Sequence, residues 1–344
     1  ASRCWARYCS KKYALMVAPD ALYRNLRICL LHRKPSEGLY PYILGMATRV
    51  IVDCDNTAGI PGYEIDDALA LLYLAADPSV ELIGVTTTFG NGTIDQVMAQ
   101  TTWLFELIGR AHVPVIRGAA GGGDWDTPAS RFIAEQCLFD PRGVQIAALG
   151  PLGNVAGAVA HSHGVAAAIA GVHAMGGYTA PLRFPRRQVS ELNLSADPAA
   201  AYAVLQCECE VRLMSAQLCL DLPFRREHFS AVASYPPWFR DMLARWYRRF
   251  SCAVGVDAFY LWDVLPVLSA ASPEAVPRRI VRIESSREDL TDGTLRVRRT
   301  TTAGISLRDP GIVDLPERLP EPETVQHSLF QRWREALNVK EKNQ

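Results

Sequence analysis

The body of this chain is without lysine: Lys11, Lys12 and Lys34 lie before it, Lys340 and Lys342 after it, and none occurs between residues 35 and 339. Chemistry that needs a lysine to hold a phosphoryl group therefore has no candidate there. The nine cysteines contain no C-x-x-C pair and are irregularly spaced, which argues against a zinc site and against the disulfide framework of a secreted domain. A reducing cytoplasm is the expected compartment. Charge of one sign is also missing, since 36 basic and 36 acidic residues cancel. No basic stripe interleaved with aromatics runs through the body, so a small molecule, and not a nucleic acid, is the expected partner. No run of eighteen uncharged apolar residues is found, and no membrane span is expected.

What is present begins with a change of character near residue 46. The first 45 residues carry Arg3, Arg7, Lys11, Lys12, Arg24, Arg27, Arg33 and Lys34 against only Asp20 and Glu37. A transit peptide has this composition, and so does upstream sequence read from too early a start. The second reading is favoured because Met46 directly precedes ATRVIVDCD. The expected organisation is an extension over 1–45, disordered or mis-started, and a single domain over 46–340.

From Thr48 onward, apolar runs at 49–54, 81–87, 113–117, 144–149, 171–176 and 211–216 read as buried strands. Helical patterns lie between several of them, at 66–76, 93–109, 154–170 and 197–206. Strands apolar on both faces and separated by amphipathic helices predict an α/β fold, a mostly parallel open sheet flanked by helices. A C-terminal elaboration follows: helices over 227–250 and 257–270, a β-rich stretch near 279–307, and a last helix over 322–337. In such folds a ligand sits beyond the carboxyl ends of the strands. This directs attention to Asp53 and Asp55, to Thr88–Asn91, to Gly150–Asn154 and to Gly176 onward.

The stretch RVIVDCDNTAGIPGYEIDDALALL (49–72) gathers four aspartates, Asp53, Asp55, Asp66 and Asp67. A strand-end turn and a helix N-terminus account for one or two of them. They do not account for four, because crowded like charges raise one another's pKa. A bound cation removes the conflict. Oxygen ligands without a nearby Cys or His cluster point to Ca²⁺ or Mg²⁺.

VIVDCDNT on its own is similar to the haloacid-dehalogenase-like phosphohydrolases, but those need a downstream cation, usually lysine, and a later acidic pair. A broader set of motifs resembles the inosine-uridine-preferring nucleoside hydrolases: DCD with DDALALLYLAADPSVELIGVTTTFGN, then ALGPLGNVA (148–156), MGGYT (175–179), SELNLSADPAAA (190–201) and YLWDVLPVL (260–268). These motifs span about residues 48 to 270 in the family's order.

This resemblance implies a Rossmann-like nucleoside hydrolase fold and Ca²⁺-dependent cleavage of the N-glycosidic bond of a ribonucleoside by water. It implies Asp55, Asp67, Asp263 and the backbone carbonyl of Gly153 as metal ligands, with Asp55 also the catalytic base. Asp53 supports them from behind. Asp66, Asn91, Glu191 and Asn193 would meet the sugar. Trp262 stands where pyrimidine-accepting members have a histidine, which implies the purine branch. Trp125 is a candidate for a second wall against the base, although packing of its own loop is an equally good reading, and Tyr260 is a candidate for the same wall. The resemblance also implies a homo-oligomer, a dimer or tetramer.

Three departures from the family bear on this reading. Ten residues, NTAGIPGYEI, separate Asp55 from Asp66 where the family has three. An asparagine expected before Glu191 is missing, and Arg183, Arg186 and Arg187 cluster there instead, a weak hint of an anionic substituent such as a 5′-phosphate. No histidine adjoins Asp263 to act as general acid. A riboside-binding protein without turnover is the alternative from a different class.

Overall fold

The structure is a computed structural model that describes residues 47–162, 164–300 and 304–338. The expectations for residues 1–45 lie outside the described residues. Strand β1 (Thr48–Cys54) leads to helix α1 (Asp66–Ala76), β2 (Val80–Thr87), α2 (Ile94–Leu107), β3 (Val115–Ile116), α3 (Pro128–Phe139) and β4 (Val144–Ala148). Next come α4 (Gly153–His161), α5 (Val165–Ala168), β5 (Gly171–Met175), the short strands β6 (Leu182–Arg183) and β7 (Gln188–Val189), α6 (Pro198–Leu205) and β8 (Val211–Met214). The C-terminal part holds α7 (Ala216–Cys219), β9 (Pro223–Arg225), α8 (Pro237–Val254), β10 (Ala258–Tyr260), α9 (Val264–Ala271), β11 (Ile280–Ile283), β12 (Val297–Arg299), β13 (Ile312–Asp314) and α10 (Pro322–Ala336).

Nine strands form one sheet in the order β12-β11-β13-β8-β5-β4-β1-β2-β3. It is parallel except where β11 runs against its two neighbours. From β1 the chain winds outward through β2 to β3, and then returns to β4 and winds the other way. The order therefore reverses between β1 and β4, and a crevice opens beyond the carboxyl ends of that pair.

Alternation along β1 sends Val50, Val52 and Cys54 to one apolar layer and Ile51 to the other. The first layer is closed by Leu69 and Leu72 of α1, Leu104 of α2, Leu243 of α8, Val264 of α9 and Trp333 of α10. The second is closed by Ile133 of α3, Val155 of α4, Val165 of α5 and Val204 of α6. Trp333 also donates its indole N–H to Leu69 O at 2.8 Å, which pins the last helix to the first.

Several boundaries differ from the sequence expectations. Helix α3 was not anticipated, although its signals are local: Thr127 caps Ser130 N, Ser130 Oγ reaches back, and Pro128 takes the first turn. The helix expected over 154–170 is interrupted after His161. The helix expected over 227–250 starts only at Pro237, because Pro236 and Pro237 bar their preceding residues from helical geometry; Arg226–Phe229 is a short 3₁₀ turn. It ends at Gly255, whose φ of 82° is left-handed. The segment 257–270 is strand before it is helix, since β10 pairs antiparallel with β9. The β-rich stretch yields β11 and β12. The strand that joins them to the main sheet, β13, lies farther on, at 312–314.

Candidate active site

The carboxylates are positioned by three elements. Asp53 is the penultimate residue of β1 and Asp55 follows the strand's end, both fully buried. Asp66 and Asp67 open α1, where free N–H groups and the helix dipole favour negative charge. Asp263 occupies the residue before α9, so a second helix N-terminus faces the same point. Ligand oxygens of Asp66, Asp67 and Asp263 lie within 4.8 Å of one another, and all three residues are buried.

Asp55 joins this group through its backbone, donating its N–H to Asp67 Oδ1 at 3.2 Å. Its own carboxylate accepts from Asn91 N at 2.6 Å and from Asn91 Nδ2 at 3.4 Å. Glycine is required around it. A Cβ on Gly90 would overlap Asp55 Oδ2, and one on Gly150 would come within 2.8 Å of Thr88 Cγ2 and 3.2 Å of Asp55 Cγ. Asp53 is held differently. Its Oδ1 accepts from Thr86 Oγ1 at 2.7 Å and from Asn154 Nδ2 at 2.8 Å, so it braces the strand end, while its Oδ2 is buried without a hydrogen-bond partner. The dehalogenase-like reading, in which this first aspartate attacks phosphorus, lacks the downstream lysine it needs, since none occurs between residues 35 and 339. Asn154, the last residue of the Gly150–Asn154 stretch, is a junction to which the sequence assigned no role. Besides Asp53, it donates to Thr87 O and accepts from Ala119 N and Thr127 Oγ1, tying four segments together.

Burial dominates the electrostatics. It raises Asp55 and Asp66 to about 7, against the opposing effect of the Asn91 N–H on the first and of backbone N–H groups on the second. Asp53 is raised by burial to about 6, opposed by Thr86 and Asn154. Asp67 and Asp263 are raised by burial and then by the surrounding carboxylates. No Lys, Arg or His among the described residues forms an ion pair with any of these acids. Asp66 Oδ1 and Asp67 Oδ2 are buried without a hydrogen-bond partner. Orphaned, crowded carboxylate oxygens with no compensating cation fit a hard divalent metal ion, which would supply the missing charge.

Above the carboxylates lies a cavity of about 960 Å³. Asp66, Asn91, Glu191, Asn193, Trp262 and Asp263 line it. Asn193 donates to Leu149 O at 2.6 Å and to Met175 O at 3.2 Å, which leaves its carbonyl oxygen for the cavity. Glu191 is more constrained than expected: its two oxygens accept from Gly177 N, Leu194 N and Ser195 N. Burial still raises its pKa against those donors.

Two aromatic expectations are corrected. Trp125 is absent from the cavity lining; its indole N–H donates to Asp197 Oδ2 at 2.8 Å and packs its own loop, as the plainer reading had it. Tyr260 is also outside the lining and instead supports Trp262 from the side, with ring centroids 5.2 Å apart. Gly153 opens α4 after the carboxyl end of β4, and a Cβ placed on it would lie nearest to Ala119 Cβ, Asp124 O and Trp125 Cδ1.

The sequence missed the opposite wall. Trp246, Arg249, Phe250 and Ala253 line the cavity from one face of α8, at helical spacing. The ten-residue segment between Asp55 and Asp66 contributes Gly62, Tyr63 and Glu64. Glu64, raised by burial and by Asp66 and Asp55, is a further acid beside the five aspartates. Its place two residues before the acidic pair is a signal only in retrospect.

A doubly wound sheet with buried, clustered acids at its switch point and a cavity above them defines an α/β protein with a ligand site beyond its strand ends. The chain belongs to the inosine-uridine preferring nucleoside hydrolase family, whose model matches residues 50–318, and so to the N-glycosyl hydrolases. A probable uridine nucleosidase 2 of Oryza sativa subsp. japonica is 25% identical over 281 residues, covering 69% of this chain and 78% of that protein. A solved purine-preferring ribonucleoside hydrolase from Gardnerella vaginalis superposes with a TM-score of 0.72 at 19% identity, covering 84% of this chain and 99% of the other. A solved plant nucleoside hydrolase gives 0.71 at 20% identity, covering 83% and 98%. Among the described residues, no helix is long and apolar enough to cross a membrane.

Proposed function

We propose that this chain is a Ca²⁺-dependent hydrolase of ribonucleosides that favours purine bases, releasing the free base and ribose. The observation that carries the reading is the convergence of Asp66 and Asp67 with Asp263, with unpartnered buried oxygens, at the floor of the cavity. Six or more hard oxygen donors suit Ca²⁺, and Asp55, Asp67, Asp263 and the Gly153 carbonyl are the residues we assign to it, with Asp66 beside them. Such a cation supplies positive charge that acidifies and orients a water molecule.

Asp55, fixed by Asn91 and enclosed by Gly90 and Gly150, accepts the proton of the attacking water. Asp66 and the Asn193 carbonyl bind ribose hydroxyls, and Asn91 adds a donor. The Glu191 carboxylate places negative charge near a sugar ring that becomes cationic in the transition state. Trp262, backed by Tyr260, offers a stacking face to the base. A histidine does not adjoin this wall, which favours bases that leave without one. Six described cysteines free of disulfides support a reducing, cytoplasmic setting. Family likeness supports a dimer or tetramer, which sedimentation equilibrium would read directly.

The deciding experiment is incubation of the protein with purine and pyrimidine nucleosides, with and without a chelator, measuring free base and reducing sugar. Chelator-sensitive release, faster from purine nucleosides, is expected. Tight binding of nucleosides with no release of base would replace this reading with that of a riboside-binding protein.

A further inference from the structure

The same cavity is electrically divided. Its floor is acidic, but two guanidinium groups, Arg187 and Arg249, also line it. Both residues are exposed, and among the described residues neither guanidinium makes a hydrogen bond or an ion pair. This is so although acids line the same cavity. Glu191, four residues from Arg187, turns its oxygens to backbone N–H groups instead. Arg186 is different in kind: its guanidinium donates to Cys252 O at 2.7 Å and serves the fold. Arg183 lies outside the lining. Of the three clustered arginines, only Arg187 addresses the cavity.

Arg249 belongs to the face of α8 that carries Trp246 and Phe250. The segment between Asp55 and Asp66 packs on it. Gly62 has a φ of +88°, which favours glycine, and a Cβ there would stand 3.3 Å from Arg249 Nη1, so the backbone lies against the guanidinium. The added segment and the arginine thus form one wall.

Resting on the hydrolase reading above, we propose that Arg187 and Arg249 form a subsite for an anionic group at the 5′ end of the riboside, and that the preferred substrate is a ribonucleoside 5′-monophosphate. An anion repelled by the acidic floor is driven to the basic rim, which orients the ligand with its glycosidic bond inward. Guanidinium groups suit phosphate oxygens because their paired N–H donors match the spacing. The ribosyl bond broken is the same, and the products are free base and ribose 5-phosphate.

The test compares base release from a purine nucleoside, its 5′-monophosphate and a ribonucleoside bearing a carboxylate on the base, for the wild type, Arg187→Ala and Arg249→Ala. Both arginines are exposed, so the variants are expected to fold. The monophosphate should show a kcat/KM at least ~10-fold above that of the nucleoside, and each substitution should remove about tenfold of this advantage while leaving turnover of the nucleoside unchanged. Inorganic phosphate should inhibit the wild type more strongly than either variant. A wild type that prefers the uncharged nucleoside, or variants that keep the monophosphate advantage, would overturn the subsite and leave the hydrolase reading standing. Arginine dependence confined to the base-linked carboxylate would overturn the 5′ assignment. If no riboside releases base, the hydrolase reading fails instead; calorimetric binding of the monophosphate against the nucleoside, in all three proteins, then decides the subsite alone.

Discussion

The backbone N–H of Asp55 donates to the Asp67 carboxylate across 3.2 Å, closing the ten-residue segment that separates Asp55 from Asp66. The length of that segment therefore does not separate the acids. Loop closure costs rise only slowly with length, and here the bond between the ends is buried. The extra residues instead become cavity wall through Gly62, Tyr63 and Glu64.

Asp55→Asn keeps the size and the contact with Asn91 but removes the base. Turnover should fall by roughly 10²–10⁴-fold, the usual contribution of a positioned general base. Nucleoside affinity, measured by calorimetry, should change little. A variant as active as the wild type would remove Asp55 from the proton-accepting role.

Removal of the cation should make stability depend on pH in a defined direction. Asp55 and Asp66 are raised from 3.8 to about 7, so the folded, metal-free protein holds protons that the unfolded chain has released. The stability these groups contribute is complete below 3.8 and is lost as pH rises through about 7. The difference in Tm between Ca²⁺-loaded and chelated protein should widen across that window and level off above it. Binding of the ion should release protons within the same range. A difference independent of pH would mean that the ion does not meet these carboxylates.

Gly90→Ala should damage the site without touching a charged group. The new Cβ would overlap Asp55 Oδ2, in a backbone with φ of +152°. Activity should fall at least ~10²-fold, and unfolding free energy by about 1–3 kcal/mol, the cost of forcing strain at such a position. Base release and urea titration would check the two effects separately.

Trp262→Ala removes the stacking face next to Asp263. The kcat/KM for purine nucleosides should drop roughly tenfold from lost stacking, and more where burial is also lost. Trp125→Ala should leave kcat/KM nearly unchanged, because that indole is bonded to Asp197 away from the cavity. Reversal of the two outcomes would reassign the wall that meets the base.

Much of the architecture was legible because its causes are local. Runs of Val, Ile and Leu bounded by turns marked β1, β2, β4, β5 and β8, and the intervening amphipathic patterns marked α1, α2 and α6. The errors occurred where a local pattern has two solutions. Residues 257–270 are apolar enough for a helix throughout, yet pairing of Ala258–Tyr260 with Pro223–Arg225 makes the first part a strand. Strand β13, three residues long, has too little sequence to announce itself. It is held in the sheet by neighbours distant in the chain, and Asp314 pairs with Arg212 in the interior at 2.9 Å.

The return of a distant segment with Trp262 and Asp263 was implied only by the family resemblance; by itself, the sequence determined that acids crowd at the head of one helix and that a strand precedes them. Composition and spacing suffice for this, because periodicity, helix-start preference and the repulsion of adjacent charges act within a few residues. Only the tertiary structure decided which oxygens meet, which aromatic rings face the cavity, and which arginine among three is free for a ligand. Those are outcomes of packing between elements far apart in the chain, and side-chain direction there follows from the sheet order and the turn of α8, not from neighbouring residues.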